Sequence, residues 1–305
     1  MNDSRFYQQA EWMLRTIPFV AQERCFALKG GTAINFFVRD FPRLSVDIDL
    51  VYLPIEERAV SLANIGAALD RIAAGIRQAY PTAQVRKTVR TGKKQTVKLV
   101  VRRDEVQITI EPNEVIRGTV FPSENRSLVP KAEAMFEISA DIATGSLADL
   151  YGGKLCAALD RQHPRDVFDV MLLLENEGIT DDIRRAFVVY LASHDRPIHE
   201  LLDPRRKDLR QIFEQEFAGM TTAPITIEQL NTARETYIDA LQCGLTSAEK
   251  KFLVSVKTGA PQWDLLPVPG IERLPAIQWK LANIARMEKR KHADMLAKLT
   301  TRLGL

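Results

Sequence analysis

Residues 45–52, with the sequence SVDIDLVY, restrict the fold of this chain more than any other segment. Polar and apolar side chains alternate here, which is typical of a strand with one face buried and one face open. With a period of two, Asp47 and Asp49 share a face and Ile48 points into the core. Two carboxylates on one face repel each other unless a cation lies between them. The segment therefore predicts a sheet whose open face holds a divalent cation.

A glycine pair precedes this strand. Residues 25–28 predict a short apolar strand that runs into Gly30 and Gly31, and residues 33–38 then predict a buried helix. Glycine lets the backbone approach a phosphate closely, and a helix N-terminus presents unpaired N–H groups. We therefore expect this turn to contact a nucleotide, with Thr32 or Ser45 adding a hydroxyl donor.

The order strand, glycine pair, helix and D-x-D strand resembles the signature of the DNA polymerase β-like nucleotidyltransferase superfamily. The resemblance implies an α+β fold with a mixed sheet core, and transfer of a nucleoside monophosphate from an NTP with Mg²⁺ (or Mn²⁺). It also implies a third metal-binding carboxylate from a later strand. Glu111, at the end of VQITIEP, is the candidate, and Asp104 and Glu105 remain alternatives.

The rest of the chain changes character near residue 140. Residues 5–16 and 56–80 predict helices, whereas residues 85–89, 96–101, 106–110 and 136–142 predict strands. After Ser146 the pattern is helical over 147–160, 165–177, 180–193, 206–217, 227–242, 247–257, 272–286 and 288–302. We therefore expect an α/β core over 1–140 and a helical domain over 141–305 that completes the active site.

Basic residues are concentrated in two places, although the net charge is only +3. The first run comprises Arg86, Lys87, Arg90, Lys93, Lys94, Lys98, Arg102 and Arg103, on a predicted hairpin with its turn at Thr91-Gly92-Lys93. It is either a surface for a polyanion such as RNA or a solvated hairpin. The second comprises Arg286, Lys289, Arg290 and Lys291, and we interpret it as a solvated helix end. Trp12, Trp263 and Trp279 are predicted to be packing residues.

A second motif, DLYGGKLCAALDRQHPRDVFD, covers residues 149–169. Lys154 lies beside the apolar face of a predicted helix, so it needs an anionic partner or a path to water. A triphosphate would be such a partner. The alternative is that Lys154 reaches water along its own stem and that Arg165 pairs with Asp169. Asp166 and Asp169 share a face of the next helix because they are three residues apart.

GGTA, SVDID, DLYGGKL and RDVFD together resemble the AbiEii/AbiGii toxin family of nucleotidyltransferases, and the resemblance covers most of the chain. It implies that Ser45 and Asp47 lie at the nucleotide and metal site. It also implies that Lys154 and Asp166 are required for activity. Such toxins belong to bacterial toxin–antitoxin and abortive-infection modules. The acceptor expected from the resemblance is the 3′ end of tRNA or another RNA, and the expected protein partner is a cognate antitoxin.

Two other functions remain open. The acceptor is a protein or a small molecule in one, and the chain is a nucleotide-binding regulator without catalysis in the other. The N-terminal segment lacks the apolar core of a signal peptide, and no apolar stretch reaches the length of a membrane span. Three cysteines far apart indicate reduced thiols. We therefore expect a cytoplasmic protein without a membrane partner.

Overall fold

The computed structural model describes residues 5–89 and 95–305, so the predicted turn at Thr91-Gly92-Lys93 and the basic residues Arg90, Lys93 and Lys94 lie outside the described residues. The described chain divides into two compact units. The first extends to Ser146 and includes Gly219–Pro224, and the second comprises Leu147–Ala218 and Ile225–Leu305. The sequence places the boundary near residue 140. In the structure the first unit also includes the strand Asp141–Thr144, which pairs within its sheet.

The first unit is built on a mixed sheet. Its strands are β1 (Phe26–Lys29), β2 (Asp47–Tyr52), β3 (Gln84–Val89), β4 (Thr96–Arg103), β5 (Val106–Arg117), β6 (Glu124–Ser127) and β7 (Asp141–Thr144). Within the described residues these seven strands lie in the order β3-β4-β5-β2-β1-β7-β6. β2 runs parallel to β5 and β1 runs parallel to β7, and the other neighbours are antiparallel. The predicted mixed sheet of an α+β fold is confirmed.

The helices of this unit are α1 (Arg5–Ala21), α2 (Gly30–Ala33), α3 (Arg58–Ala79) and α4 (Pro130–Phe136), and the two longest of them pack on the sheet. α1 packs on β5 and β7, and α3 packs on β3 and β4. The strand side chains of the buried face are apolar and at most 1% exposed: Ile48, Leu50, Leu99, Val101, Ile108 and Ile110. Because side chains alternate along a strand, Asp47 and Asp49 point to the opposite face, as predicted.

α3 is a core helix of this unit. Among the described residues it is the one helix long and apolar enough to span a membrane by length and composition. Half of its apolar segment is buried, and it packs on α1 and β4. Its buried side chains, among them Leu62, Leu69 and Ile76, recur at helical spacing. The apolar character of α3 is thus explained by packing within the unit.

The strand predicted over residues 136–142 is wrong in its first half. Phe136 ends helix α4, and β7 begins only at Asp141. Pro130 opens α4 at its first turn, and Glu137 ends it with a left-handed φ of 52°. The Phe136 ring stacks on Tyr7, with centroids 4.7 Å apart. This packing against a distant ring favours the helix and cannot be inferred from local alternation.

The second unit is helical in its described residues, as predicted. It contains α5 (Leu147–Arg161), α6 (Pro164–Glu175), α7 (Asp181–Ser193), α8 (Ile198–Leu202), α9 (Arg210–Glu216), α10 (Ile227–Gly244), α11 (Ser247–Thr258), α12 (Pro275–Ala285) and α13 (Lys289–Leu303), with 3-10 turns at Trp263–Leu265 and Ile271–Arg273. α8 was not predicted. The predicted helix 206–217 begins later because the buried Gln162 side chain bonds the backbone of Arg205 and Lys207 instead. Cys25, Cys156 and Cys243 are free thiols.

Candidate functional site

The open face of the sheet brings acidic side chains from two strands together. Asp47 and Asp49 lie on β2, and Glu111 on β5 is the register partner of Asp49. On the other side of β2, Lys29 of β1 is paired with Asp49. Directly paired residues on neighbouring strands have β-carbons about 5 Å apart. Lys29, Asp49 and Glu111 therefore form a row across the open face.

Gly30 brings the backbone against Asp49. Gly30 has a φ of +70°, in the left-handed region that glycine adopts without strain. A β-carbon at this position would lie 2.6 Å from Oδ2 of Asp49. The turn between β1 and α2 can therefore approach the carboxylate only because residue 30 has no side chain.

Gly31 lies against Arg43 and Ser45. A β-carbon on Gly31 would lie 2.7 Å from Nη2 of Arg43 and 3.1 Å from Oγ of Ser45. Arg43 is only 1% exposed, and its Nη1 donates to the carbonyl of Leu44. A buried guanidinium beside the glycine turn was not assigned from the sequence, where Arg43 is one basic residue in a loop. Its burial depends on the fold, so no local signal identifies it.

Thr32 connects the glycine turn to the acidic strand. Its hydroxyl donates to the carbonyl oxygen of Asp47 at 2.5 Å and lies 3.0 Å from Oγ of Ser45. Thr32 is 1% exposed and Ser45 is 7% exposed. The sequence offered either hydroxyl as a ligand for a nucleotide. In the structure Thr32 is engaged with protein groups, and Ser45 is the more accessible of the two.

Glu111 is beside Asp49, but its carboxylate has another partner. Lys98 on β4 contacts it with Nζ 2.7 Å from Oε2. Over residues 5–89 and 95–305, no three His, Cys, Asp or Glu side chains are grouped closely enough to hold a metal ion. Asp47 and Asp49 thus lie as an acidic pair on one face, and Glu111 beside them is paired with Lys98.

The alternatives for the third carboxylate, Asp104 and Glu105, are excluded by their position. They form the turn between β4 and β5, with side chains 86% and 93% exposed. Six residues of extended strand separate Glu105 from Glu111, a distance of roughly 20 Å. Neither residue can therefore share a ligand with Asp49.

A cleft of about 460 Å³ opens next to Asp49. Its lining includes Lys29, Lys98, Glu111 and Asn113, so both charge signs are present. The donor chemistry of this face fits a hard divalent cation, which prefers carboxylate oxygens and substrate phosphates. The glycine turn leaves space beside Asp49 that a β-carbon would otherwise fill. The groups around this cleft are therefore chemically suited to bind a phosphate together with a divalent cation.

The described part of the basic run of residues 86–103 does not form one surface. Alternation along β3 and β4 sends neighbouring basic residues to opposite faces of the sheet. Lys87 pairs with Asp70 of α3, whereas Lys98 pairs with Glu111 on the open face. The guanidinium of Arg103 lies 5.3 Å from the ring centroid of Trp12. In its described part, this run is largely neutralised by local partners.

Lys154 in the second unit is enclosed by carboxylates. It is 6% exposed, and its Nζ lies 3.0 Å from Oδ1 of Asp166 and 2.9 Å from Oδ2 of Asp169. Arg161 contacts the other oxygen of Asp166 at 2.9 Å. Burial raises the pKa of Asp166, but Lys154 and Arg161 outweigh it and hold that pKa below its ordinary value. Lys154 therefore has internal anionic partners.

This arrangement differs from the alternative stated for the second motif, in which Lys154 reaches water and Arg165 pairs with Asp169. Lys154 does not reach water, and Arg165 contacts Glu216 at 3.6 Å instead of pairing with Asp169. The sequence placed Asp166 and Asp169 on one face, which is what lets both contact Lys154. That the partner of the lysine is this acidic pair depends on how α5 packs against α6, which spacing alone does not reveal.

Comparison with known proteins adds independent information. The family described as "Nucleotidyl transferase AbiEii toxin, Type IV TA system" matches residues 12–283. No curated protein sequence matches this chain significantly. Among solved structures, the nucleotidyltransferase toxin MenT4 (Rv2826c) from Mycobacterium tuberculosis H37Rv is similar, with a TM-score of 0.59 and 16% identity. The similarity covers 92% of this chain and 93% of that one, and at this identity it supports the fold.

Proposed function

Because this chain belongs to the AbiEii family of nucleotidyltransferase toxins of type IV toxin–antitoxin systems, we propose that it transfers a nucleoside monophosphate from an NTP to the 3′ end of an RNA, most specifically tRNA. The observation that carries the proposal is the contact between the glycine turn and the acidic strand, where Gly30 lies against Asp49. A phosphate-binding backbone beside a carboxylate pair is what a metal-bound triphosphate requires.

We assign the divalent cation, Mg²⁺ or Mn²⁺, to Asp47 and Asp49. Glu111 joins them if Lys98 leaves its carboxylate. When bound, such a cation neutralises phosphate charge and favours attack by the acceptor hydroxyl on the α-phosphate. Asp49 lies against the turn at Gly30, and the carbonyl oxygen of Asp47 accepts a hydrogen bond from Thr32. Little further chemistry is needed from the protein, since positioning and charge stabilisation supply most of the catalysis.

The triphosphate is assigned to the turn. The Gly30 and Gly31 backbone, the Ser45 hydroxyl and the buried Arg43 guanidinium lie together there. Arg43 already contacts protein groups, so its role is to keep this region positively charged and to hold the loop before β2. Thr32 is a positioning residue in this account, because its hydroxyl bonds the strand.

Lys154 and Asp166 are proposed to be required for activity, on the strength of the family resemblance. The structure supports one detail of that role. Lys154 contacts both Asp166 and Asp169 in a buried position, so replacing the lysine removes the cation that these two carboxylates share. A cognate antitoxin is the protein partner implied by the family, and we propose the cytoplasm as the location.

The experiment is a transfer assay with each of four [α-³²P]NTPs, Mg²⁺ and total tRNA. We expect label on tRNA and release of pyrophosphate. Transfer should be lost when the tRNA 3′ end has been oxidised with periodate, since that removes the acceptor hydroxyls. Label on a protein or a small molecule, with none on RNA, would support the alternative acceptors. NTP binding by calorimetry with no pyrophosphate release would support the regulator and contradict the enzyme.

A further inference from the structure

The second unit carries a basic surface where α12 meets α13. It comprises Trp279, Asn283, Arg286, Lys289, Arg290 and Lys291, and we call it the α12–α13 patch. All six residues are exposed. Over the described chain, its four basic side chains form no ion pair with a carboxylate. Their charge is therefore available to an external anion, in contrast to the basic run of residues 86–103.

Trp279 projects into solvent beside these charges. It is 52% exposed, so the packing role predicted from the sequence is wrong for this residue. Trp279, Asn283 and Arg286 are spaced four and three residues apart, which places them on one side of α12. The opposite side of that helix is buried through Ile277 and Ile284. An indole and a guanidinium are thus presented together on the outer face, about 10 Å apart along the axis.

The first turn of α13 carries charges of the unfavourable sign. Lys289, Arg290 and Lys291 open the helix, where the helix dipole favours acidic side chains. Only the N-cap Glu288 offsets them, by accepting from the backbone N–H groups of Arg290 and Lys291. This local electrostatic cost is only partly compensated within the protein, and an anion bound at the start of α13 would offset it further.

A buried lysine adds to the positive charge behind the patch. Lys257 is 5% exposed, and its Nζ contacts the thioether sulfurs of Met287 at 3.7 Å and Met295 at 3.8 Å instead of a carboxylate. Burial and then Lys291 lower the pKa of Lys257. A polyanion bound over Lys291 would relieve this repulsion.

We propose that the α12–α13 patch binds the acceptor RNA, with phosphates on Arg286, Lys289 and Arg290 and a base stacked on Trp279. Basic side chains beside an exposed aromatic ring are the combination that holds single-stranded nucleic acid. An acidic protein would use the charges but would have no need for a stacking ring. A membrane surface would require more apolar exposure than the single Trp279 provides on these helices. The inference depends on the proposal that the acceptor is RNA.

The test measures binding of a labelled 12-nucleotide RNA by fluorescence anisotropy, without NTP or metal, between 50 and 200 mM salt. We expect the variant Arg286→Gln/Lys289→Gln/Arg290→Gln to bind at least tenfold more weakly. Its slope of log affinity against log salt should be shallower by about two, since each phosphate contact on a single strand contributes about 0.7. Trp279→Ala should weaken binding roughly tenfold, and Trp279→Phe should retain it.

The matched control is Arg86→Gln/Arg102→Gln/Arg103→Gln, which removes three charges from the other basic run. We expect it to change RNA affinity less than twofold. The proposal is overturned if this control weakens binding and the patch variant does not. It is also overturned if Trp279→Ala does not change the affinity for RNA and polyglutamate displaces the RNA at the same concentration of negative charges. The surface would then fit an acidic protein. Since the assay contains no NTP, failure of nucleotide transfer would not by itself alter these results.

Discussion

The carboxylate of Asp49 lies so close to Gly30 that a β-carbon on the glycine would come within 2.6 Å of Oδ2. We therefore expect Gly30→Ala to displace Asp49 and to strain the backbone, whose φ is +70°. A displacement of about 1 Å at a catalytic group can reduce turnover on the order of 10²-fold. The left-handed backbone should also cost about 1–2 kcal/mol of stability. Label transfer from NTP to RNA measures the loss of turnover, and urea unfolding measures the loss of stability.

Gly153→Ala is the control for that substitution. Gly153 lies inside α5, and a β-carbon there would meet nothing within 4 Å. Alanine is favoured over glycine in a helix by up to about 1 kcal/mol, so this variant should be slightly more stable and fully active. Equal activity of Gly30→Ala and Gly153→Ala would contradict the role of the turn.

The neighbouring Gly152 gives a prediction about packing alone. A β-carbon on Gly152 would lie 2.8 Å from Cβ of Ala186 and 2.8 Å from the backbone nitrogen of Phe187. We expect Gly152→Ala to push α5 and α7 apart and to lower the free energy of unfolding by about 1–3 kcal/mol. Denaturant unfolding of the Gly152→Ala and Gly153→Ala variants should shift the midpoint in opposite directions. If Gly152→Ala stabilises the protein, α5 and α7 must lie farther apart than they do in this structure.

Thr32→Val removes the hydroxyl that donates to the carbonyl of Asp47 and keeps the shape of the side chain. The carbonyl then loses a partner, which should cost about 1–3 kcal/mol. Because Asp47 is proposed to hold the metal, kcat should fall as well, whereas Thr32→Ser should restore both. Steady-state kinetics of the two variants check this. If Thr32→Val keeps the parental kcat, the hydroxyl has no positioning role.

Lys154→Met leaves Asp166 and Asp169 buried without their shared cation. Breaking a buried ion pair from one side should destabilise the protein by about 3–5 kcal/mol at neutral pH. In the parent, the lowered pKa of Asp166 contributes stability that is present above the ordinary value of 3.8 and is lost as the pH falls through the lowered value of the folded state. Without Lys154, Asp166 gains a proton more readily, so the difference in stability between the two proteins should shrink as the pH falls toward that range. The free energy of unfolding of both proteins at several pH values measures this difference. Lys251→Met, at an exposed position, is the control.

The lowered pKa of Lys280 predicts a further dependence of stability on pH, in the alkaline range. Burial and then the charge of Lys257 lower its pKa from 10.5 to about 8. Between these values the unfolded chain binds more protons than the folded one, so stability should rise with pH, by on the order of 1–3 kcal/mol. Lys280→Met should lack this rise, although it also loses the bond from Nζ to the carbonyl of His194. The prediction is contradicted if the free energy of unfolding changes with pH by the same amount in both proteins between pH 8 and 10.

Local patterns were sufficient for much of the fold. Alternation predicted β2 and placed Asp47 and Asp49 on one face, and helical spacing with turn residues predicted most of α5 to α13. Alternation and helical spacing do not predict the structure where contacts with distant residues determine it. Phe136 is helical because its ring packs against Tyr7, and residues 205–207 leave the helical path because of Gln162.

For the candidate site, the sequence was informative about residue types and less so about partners. The pairing of Asp49 with Glu111 depends on the parallel register of β2 and β5, which are separated by more than fifty residues. Neither Lys98 as the partner of Glu111 nor the burial of Arg43 has a local signature. Lys154 was expected to need an anion, and its partners proved to be protein carboxylates.

The central claim is that Asp47 and Asp49 form the catalytic carboxylate pair of a nucleotidyltransferase. It is tested most directly by the rate of label transfer from [α-³²P]NTP to tRNA in Asp47→Asn and Asp49→Asn, against Asp104→Asn in the exposed β4–β5 turn. We expect the first two variants to fold with unchanged thermal stability, within a few degrees, and to lose at least 10²-fold in rate. Asp104→Asn should equal the parent. Transfer by Asp47→Asn and Asp49→Asn at the parental rate would contradict the account.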